Sequence, residues 1–506
     1  MPGTSSGSYA RRVAVDPRTP VIVGAGQVLQ RATTIAEAGE PAALMVEAIA
    51  GAGADAGLGG IPPAVDSVRI VGLLSWRYGN AAHIVAARAG ITADQLAVTH
   101  GGGNSPQSLV NSTAVDIAAG RLDAAVLAGG EAWRTRMRAR REGVELDWDR
   151  APEDATPVLL GSGLDLVHPD EAARGVTMPV QIYPMFESAI RAAAGRTPAD
   201  HLVHISELWS RFSAVAAGNP YAWLPEARTA EELRSVSPRN RMIGLPYTKS
   251  LNSNNDVDMA AALLICSAQW AADHGVPRDR WVFPQAGTDC HEHTYVSHRW
   301  SLAETPAVRR GGRLALELAG ADIDDIALVD LYSCFPSAVQ LGAASLGLPI
   351  DGQLTRTGGL TFAGGPWNSY VLHAIATITN ELRERPDELG LVWANGGFVT
   401  KHAFGVYGTA PPPGGFRHAS PQDEIDALPR RELATGEEAA GTSAIEAYTV
   451  MHDRDGAPEL AIATCLRDDG RRAWATTRDA GVTAAMLDGE WVGEKVTLDA
   501  DGTIRL

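Results

Sequence analysis

Residues 98–130 restrict the fold of this chain more than any other segment. They read VTHGGGNSPQSLVNSTAVDIAAGRLDAAVLAGG, a glycine-rich turn followed by a helical pattern and an apolar run. Ser105 is a favoured N-cap residue and Pro106 suits a first helical turn, so we expect a helix over 106–119 that ends at Gly120. The continuously apolar residues 124–130 are typical of a strand buried on both faces. The segment therefore predicts a βα unit of an α/β fold.

Composition narrows the class of protein. The chain has 506 residues and a net charge of −17, which argues against a nucleic-acid surface because phosphate binding requires a basic face. No apolar run approaches the roughly 20 residues of a membrane span. Four cysteines in so long a chain do not make a disulfide framework. We therefore expect a cytoplasmic protein that contacts neither nucleic acid nor membrane.

The order of helical and strand-like patterns predicts several domains. Strands alternate with helices in two separate stretches, which indicates βα units and parallel sheets. A stretch rich in charged and Trp-containing helices interrupts them, and short alternating strands follow near the C-terminus. The predicted organisation is a disordered leader (1–17), an N-terminal half (18–130 with 255–280), an inserted loop domain (131–254), a C-terminal half (281–407), a linker (408–429) and an OB-like β-barrel (430–506).

A weak internal repeat relates the two halves. GGGNSPQSLVNSTAVDIA in the first half resembles AGGPWNSYVLHAIATI at 363–378, and each contains a glycine pair followed by an apolar helix. Two related halves would place these two helix starts close together.

Four motifs in order resemble those of the thiolase superfamily. The turn before the first helix is similar to the nucleophile segment CxSG. YSCF (332–335) resembles the NEAF or HDCF motif, GGLTFAGGP (358–366) resembles the segment that contains GHP, and WANGG (393–397) resembles CxGG. Over its whole length the chain is similar to thiolase-like proteins of type 1, which have an added C-terminal domain. The resemblance implies a thiolase fold of two βαβαβαββ-type halves in a layered α/β/α arrangement, with an inserted loop domain and a C-terminal β-barrel.

The departures from these motifs affect the chemistry. At the matching positions, Gly103 replaces the nucleophilic cysteine, Tyr332 replaces Asn or His, Gly365 replaces histidine, and Ala394 replaces the second cysteine. Thiolase turnover requires a thiolate that accepts the acyl group and positioned groups for proton transfer. The resemblance thus implies an acyltransferase of the acetyl-CoA acetyltransferase family, while the substitutions argue against cysteine-dependent turnover.

The resemblance also selects candidate site residues. Tyr332 and His402 are candidate catalytic groups, and backbone N–H groups at glycine-lined helix starts can bind a carbonyl or an anion. The candidates for binding coenzyme A or an acyl-CoA are Gly103, Asn104, Ser105, Gly364, Gly365, Asn395, Lys249 and Lys401. The alternatives are that the glycines only allow close helix packing and that Tyr332 and His402 are structural. Cys334 is either a nucleophile or a buried structural thiol, and the sequence favours the second.

The predicted function is recognition of acyl-CoA thioesters in lipid metabolism without normal thiolase activity. The alternatives are a lyase that cleaves a β-hydroxyacyl-CoA by retro-aldol chemistry and a non-catalytic acyl-CoA or lipid carrier. We expect no covalently bound cofactor and no metal, because the cluster Cys290, His291, His293 and His298 lacks a matching ligand pair. The oligomeric state stays open between the thiolase-type dimer and a monomer.

Overall fold

The computed structural model describes residues 15–60 and 64–505. The predicted leader falls mainly outside these ranges. Within them, no helix combines the length and the apolar character that crossing a bilayer requires. The first elements alternate strand and helix: β1 (Pro20–Leu29), α1 (Pro41–Asp55), β2 (Ala64–Ile70), α2 (Ala81–Ala89), β3 (Thr92–Thr99), α3 (Ser105–Ala118) and β4 (Ala124–Ala132).

The inserted segment is mainly helical and contains short strands. Its elements are α4 (Trp133–Glu142), β5 (Val158–Leu160), α5 (Pro169–Ala173), α6 (Pro179–Ala193), α7 (Pro198–Ala217), α8 (Ala230–Arg234), β6 (Met242–Gly244) and β7 (Tyr247–Thr248).

The αβ alternation then resumes and is followed by a strand-rich C-terminal segment. The remaining core elements are β8 (Asp258–Ser267), α9 (Ala268–Asp273), β9 (Phe283–His291), α10 (Pro306–Ala319), β10 (Ile326–Leu331), α11 (Pro336–Leu346), α12 (Gly359–Phe362), α13 (Tyr370–Glu384), β11 (Leu389–Gly396) and β12 (Lys401–Gly408). The C-terminal elements are β13 (Arg417–Ala419), α14 (Gln422–Asp426), β14 (Gly441–His452), β15 (Pro458–Leu466), β16 (Arg472–Thr477), α15 (Ala480–Leu487), β17 (Lys495–Leu498) and β18 (Ile504–Arg505).

Two sheets form the core. The first has the strand order β1-β8-β4-β2-β3-β5, and the second has the order β10-β11-β12-β9-β13. All residues of β4 and β8 are buried, as the continuous apolar runs predict for strands covered on both faces. Helices α3 and α13 contact both sheets, whereas α1 packs on the first sheet and α10 on the second. The layered α/β prediction is confirmed.

The two central helices begin next to each other, as the internal repeat predicts. The side-chain oxygen of Asn368, two residues before α13, accepts a hydrogen bond from the Gly102 N–H at 3.0 Å. The Nδ2 atom of Asn368 donates to the Gly72 carbonyl at 2.7 Å. One side chain therefore connects the start of the second central helix to the turn that precedes the first.

The N-cap assignment of Ser105 is wrong by one residue. Asn104 occupies the cap position and Ser105 is the first helical residue. The Ser105 hydroxyl donates to the His100 carbonyl at 2.9 Å instead of accepting from the helix. Because this bond closes the glycine-rich turn on itself, the helix starts one residue earlier than predicted.

The C-terminal strands form a sheet that packs on the inserted segment. The strand order is β16-β15-β14-β17-β18. The sheet curves so that β16 contacts the chain just before β18, where the Thr476 N–H donates to the Gly502 carbonyl at 3.0 Å. Strand β14 of this sheet also pairs with β6, through Met451 and Gly244. The predicted C-terminal β-domain is present, and it shares a strand with the insertion.

Arg472 ties this domain to the core. Its side chain is fully buried, and its Nη1 atom donates to the carbonyls of Val296, Ser297 and Arg299 at 3.2, 2.8 and 2.6 Å. Its Nη2 atom pairs with Glu446 at 2.6 Å. A buried arginine that is paired with a carboxylate in this way holds two chain segments together without an unpaired charge.

Buried His373 makes stability depend on pH. Burial lowers the pKa of this α13 side chain to about 3, from about 6.5 in an unfolded chain. The folded protein then binds fewer protons than the unfolded one, so stability is retained above pH 6.5 and is lost as the pH falls towards 3. When the pH falls from 7 to 5, the free energy of unfolding of the wild type should therefore drop by about 1–2 kcal/mol more than that of His373→Asn.

Urea unfolding at the two pH values measures this difference. The exposed His274, replaced in the same way, serves as the matched control and should behave like the wild type. Equal losses in His373→Asn and wild type would contradict the assignment of a low pKa to His373.

Candidate functional site

The turn before α3 leaves no room for a side chain at residue 103. A Cβ atom built on Gly103 would lie 2.3 Å from the Tyr332 hydroxyl oxygen and 2.4 Å from the Asn395 carbonyl oxygen. Real Cβ atoms do not approach other atoms so closely, and the second obstacle is backbone. The phenol of Tyr332 and the end of β11 therefore occupy the space that a residue-103 side chain would need.

Tyr332 is buried where β10 ends, with 7% of its surface exposed. Its ring meets the Tyr370 ring edge to face, with 5.8 Å between centroids. Burial raises the pKa of Tyr332 well above its usual range, and the nearby Cys334 adds to this effect. The phenol is therefore neutral at physiological pH, and the hydrogen bonds found among the described residues do not include its hydroxyl.

Cys334 does not replace the missing nucleophile. The thiol is buried, and this burial raises its pKa to about 12. Nucleophilic cysteines react as thiolates, and the thiolate fraction at such a pKa is negligible near pH 7. The geometry therefore favours the structural interpretation of this residue.

The second glycine-lined helix start is also closely packed. A Cβ on Gly365 would lie 2.4 Å from the Ser253 hydroxyl oxygen, and one on Gly364 would lie 2.6 Å from the Met259 sulfur. The Gly365 N–H donates to the Asn254 carbonyl at 2.8 Å. This N–H group is therefore engaged within the chain and is not offered to a ligand.

Tyr183 of the inserted segment enters the same region, and sequence reasoning did not select it. Its hydroxyl donates to the Gly397 carbonyl at 3.0 Å and accepts from Asn395 Nδ2 at 3.0 Å and from the Val399 N–H at 3.2 Å. Its ring stacks on Phe335 with centroids 4.5 Å apart. No motif indicates this role, because the contact joins residues more than 200 positions apart.

A cavity of about 390 Å³ opens beside the Gly103 contact; we call it the α3 cavity. Four predicted site residues line it: Asn104, Ser105, Lys401 and His402. Its wall includes three leucines, Leu109, Leu160 and Leu164. Tyr332, Gly103 and Asn395 are not among the residues that line the cavity. The predicted residues are thus divided into two groups: those packed around Gly103, which we call the packed centre, and those that line the α3 cavity.

The surroundings of Lys401 and His402 determine their hydrogen bonds and shift their pKa values. The Lys401 ammonium donates to the Gly101 carbonyl at 2.6 Å, and burial lowers the pKa of its side chain. Burial also holds the pKa of His402 well below its usual range, so the ring is neutral. Trp393 Nε1 donates to His402 Nδ1 at 3.3 Å, which leaves the proton on Nε2. His402 therefore presents an N–H donor rather than a base.

Asp289 and His418, which sequence reasoning did not select, complete the polar wall. His418 Nε2 lies 2.8 Å from the Asp289 carboxylate, which also accepts hydrogen bonds from Asn111 Nδ2 at 2.9 Å and from Ser108. The position of Asp289 just before the Cys–His cluster gave no signal of this contact with α3. Lys249, by contrast, is exposed in the inserted segment and does not line the cavity.

Comparison with known proteins agrees with this architecture. The family described as "Thiolase-like protein type 1 additional C-terminal domain" matches residues 421–503. The monomeric SCP2-thiolase-like protein type 1 from Mycobacterium smegmatis is 31% identical, with a TM-score of 0.82, over 97% of this chain and all of that one. None of the curated proteins compared with the chain matches it.

Two more distant structures share the fold. An Ltp2–ChsH2(DUF35) aldolase is 20% identical over 78% of this chain and 98% of its own, with a TM-score of 0.55. Acetyl-CoA acetyltransferase from Syntrophomonas wolfei is 15% identical over 78% of this chain and all of its own, also with a TM-score of 0.55.

The fold and the four motif positions define a thiolase-superfamily protein. The match to the mycobacterial structure spans both halves, the insertion and the added domain. The chain belongs to the SCP2-thiolase-like protein type 1 family.

Substitution of Gly103 tests the packed centre. We expect Gly103→Ala to destabilise the protein by about 2 kcal/mol or more, because the new methyl group overlaps Tyr332 and the Asn395 carbonyl. Gly103→Cys should also be destabilised and should not cleave acetoacetyl-CoA in the presence of CoA. The double variant Gly103→Cys/Tyr332→Ala should recover only part of the stability, since the backbone carbonyl stays in place.

Chemical denaturation measures these differences. Gly51→Ala on α1 is the matched control, because its Cβ meets no atom closer than 3.6 Å. A Gly103→Ala variant as stable as the wild type, or thiolytic activity in either cysteine variant, would overturn this description of the site.

Proposed function

We propose that this protein binds an acyl thioester in the α3 cavity and does not process it through a cysteine-bound acyl group. The observation that supports the proposal is that four predicted site residues, from two distant segments of the chain, line one cavity beside the filled nucleophile position. Such a protein recognises acyl-CoA as a ligand in lipid metabolism.

The distribution of polarity in the cavity suits a thioester. Asn104 lies at the start of α3, and the ammonium of Lys401 in β12 bonds to the Gly101 carbonyl of the preceding turn. The Asn104 Oδ1 atom is buried without a hydrogen-bond partner among the described residues. The leucines supply an apolar wall for an acyl chain. Ligand sites commonly combine an apolar lining with a few polar groups that fix orientation.

The volume of the cavity indicates which part of the ligand it holds. About 390 Å³ lies near the lower end of the range for small-molecule sites. It suits an acyl group with part of the pantetheine arm, while the nucleotide would remain outside. The thioester end therefore provides the recognition in this proposal.

Lys401 provides the test of binding. We expect Lys401→Met to weaken the binding of acetyl-CoA and decanoyl-CoA by at least about tenfold, because it removes the cation and keeps a similar volume. Lys249→Met is the matched control and should bind like the wild type. S-acetyl-N-acetylcysteamine, which lacks the nucleotide, should still bind if the thioester end is recognised.

Isothermal titration calorimetry gives these affinities directly. Absence of binding with every thioester would contradict the proposal. Equal affinities in Lys401→Met and wild type would place the ligand outside the α3 cavity.

A lyase is the second candidate, and the Tyr332 hydroxyl favours it. This neutral phenol lies next to the turn that leads into the cavity. In a retro-aldol step, loss of the β-hydroxyl proton and cleavage of the Cα–Cβ bond give a carbonyl compound and a thioester enolate. In one concerted step, the Tyr332 oxygen would accept the β-hydroxyl proton while its own proton passes to the α-carbon, so Tyr332 ends in the protonation state in which it began.

Tyr332→Phe tests the lyase with a β-hydroxyacyl-CoA. We expect kcat to fall by at least about 100-fold, as for loss of a general acid. Because burial keeps the pKa of Tyr332 above its usual range, wild-type turnover should show no loss from this group between pH 7 and pH 9. Unchanged turnover in the variant would remove Tyr332 from the mechanism.

A further inference from the structure

A second cavity lies between the inserted segment and the C-terminal domain. It has a volume of about 190 Å³ and is bounded by α6, α7, the chain just after β6, and residues of β14 and α15; we call it the α6–α7 cavity. Its walls are mostly apolar and include Leu202, Met242, Leu245, Tyr448 and Leu487. It shares no residue with the α3 cavity, so it is a separate site.

A buried Glu–His pair forms part of this lining. Glu187 is fully buried and His201 is 1% exposed, with 2.5 Å between Oε1 and the ring Nε2 atom. The Glu187 carboxylate also accepts from Tyr247 Oη at 2.5 Å and from Gln340 Nε2 at 2.6 Å. Glu187 thus fixes the position of the imidazole, and Tyr247 and Gln340 hold the Glu187 carboxylate in place.

This arrangement determines what the other ring nitrogen can do. In the tautomer whose Nε2–H donates to the carboxylate, Nδ1 carries no proton and is an acceptor. Nδ1 of His201 is buried and has no hydrogen-bond partner among the described residues. A buried acceptor without a partner is costly, and a donor from a bound molecule would offset that cost.

The charges around the cavity disfavour an anionic ligand. Arg191 is the cation of the lining, and its guanidinium pairs with both carboxylate oxygens of Glu490. With Glu187 also present, the two acidic groups outnumber the one arginine. A carboxylate ligand would therefore add a further negative charge to a site without a free cation.

We propose that the α6–α7 cavity binds a small, uncharged, mainly apolar molecule with one hydroxyl group, which donates to His201 Nδ1. An apolar cavity of about 150 Å³ in another protein is large enough for benzene. The present volume therefore suits an aliphatic or aromatic alcohol of about seven non-hydrogen atoms. The site needs no acyl thioester, so it does not depend on the function proposed above.

Calorimetry of the full-length protein with three probes tests the ligand class. We expect 1-hexanol to bind, its methyl ether to bind at least tenfold more weakly because it has no donor, and hexanoate not to bind. A methyl ether that binds as well as hexanol, a preference for hexanoate, or no binding of hexanol would overturn the proposal.

Two variants test the location. His201→Phe keeps an aromatic ring but removes the acceptor, and it should weaken hexanol binding at least tenfold without changing the ether. His204→Phe, one turn further along α7 and outside the lining, is the matched control. Leu202→Trp fills the cavity without altering the Glu–His pair, so it should abolish hexanol binding even if His201→Phe fails to fold. Wild-type affinity for hexanol in Leu202→Trp would place the alcohol elsewhere and contradict the proposal.

Discussion

The close contact between the start of α3 and the ends of β10 and β11 governs the structure of the centre. These elements belong to different halves of the core, and they meet at Gly103 with the Tyr332 phenol and the Asn395 carbonyl against it. A side chain at residue 103 would force the halves apart or displace a strand end. Neither a thiol nor its Cβ atom fits at residue 103 while Tyr332 and the Asn395 carbonyl stay in place.

Helix α6 of the insertion contacts both the core and the C-terminal domain. Tyr183 bonds to Gly397 just after β11, and Glu187 and Arg191, one and two turns later, line the α6–α7 cavity. The Ser188 hydroxyl accepts a hydrogen bond from the Tyr448 N–H of β14 at 2.9 Å. Helix α6 therefore contacts both the residues that follow β11 and strand β14 of the C-terminal domain.

Much of the fold was predictable because the core strands and central helices have clear local patterns. The buried run of β8 and the glycine pairs before α3 and α13 are readable from neighbouring residues alone. The site was only partly predictable. The sequence indicated Asn104, Lys401 and Tyr332, but it gave no indication that Ser253 lies against Gly365 or that Tyr183 reaches Asn395. These contacts join distant segments, and they depend on how the insertion folds back over the core.

The position of Arg472 has a consequence for the order in which the molecule is assembled. On the ribosome, residues 296–299 and α6 are made long before β14 and β16, so their partners do not yet exist. The Ser297 and Arg299 carbonyls and one face of α6 lack these partners until the C-terminal strands are made. Completion of the core thus waits for the last domain to be synthesised, and a chain interrupted before β16 would expose unpaired backbone to proteases and chaperones.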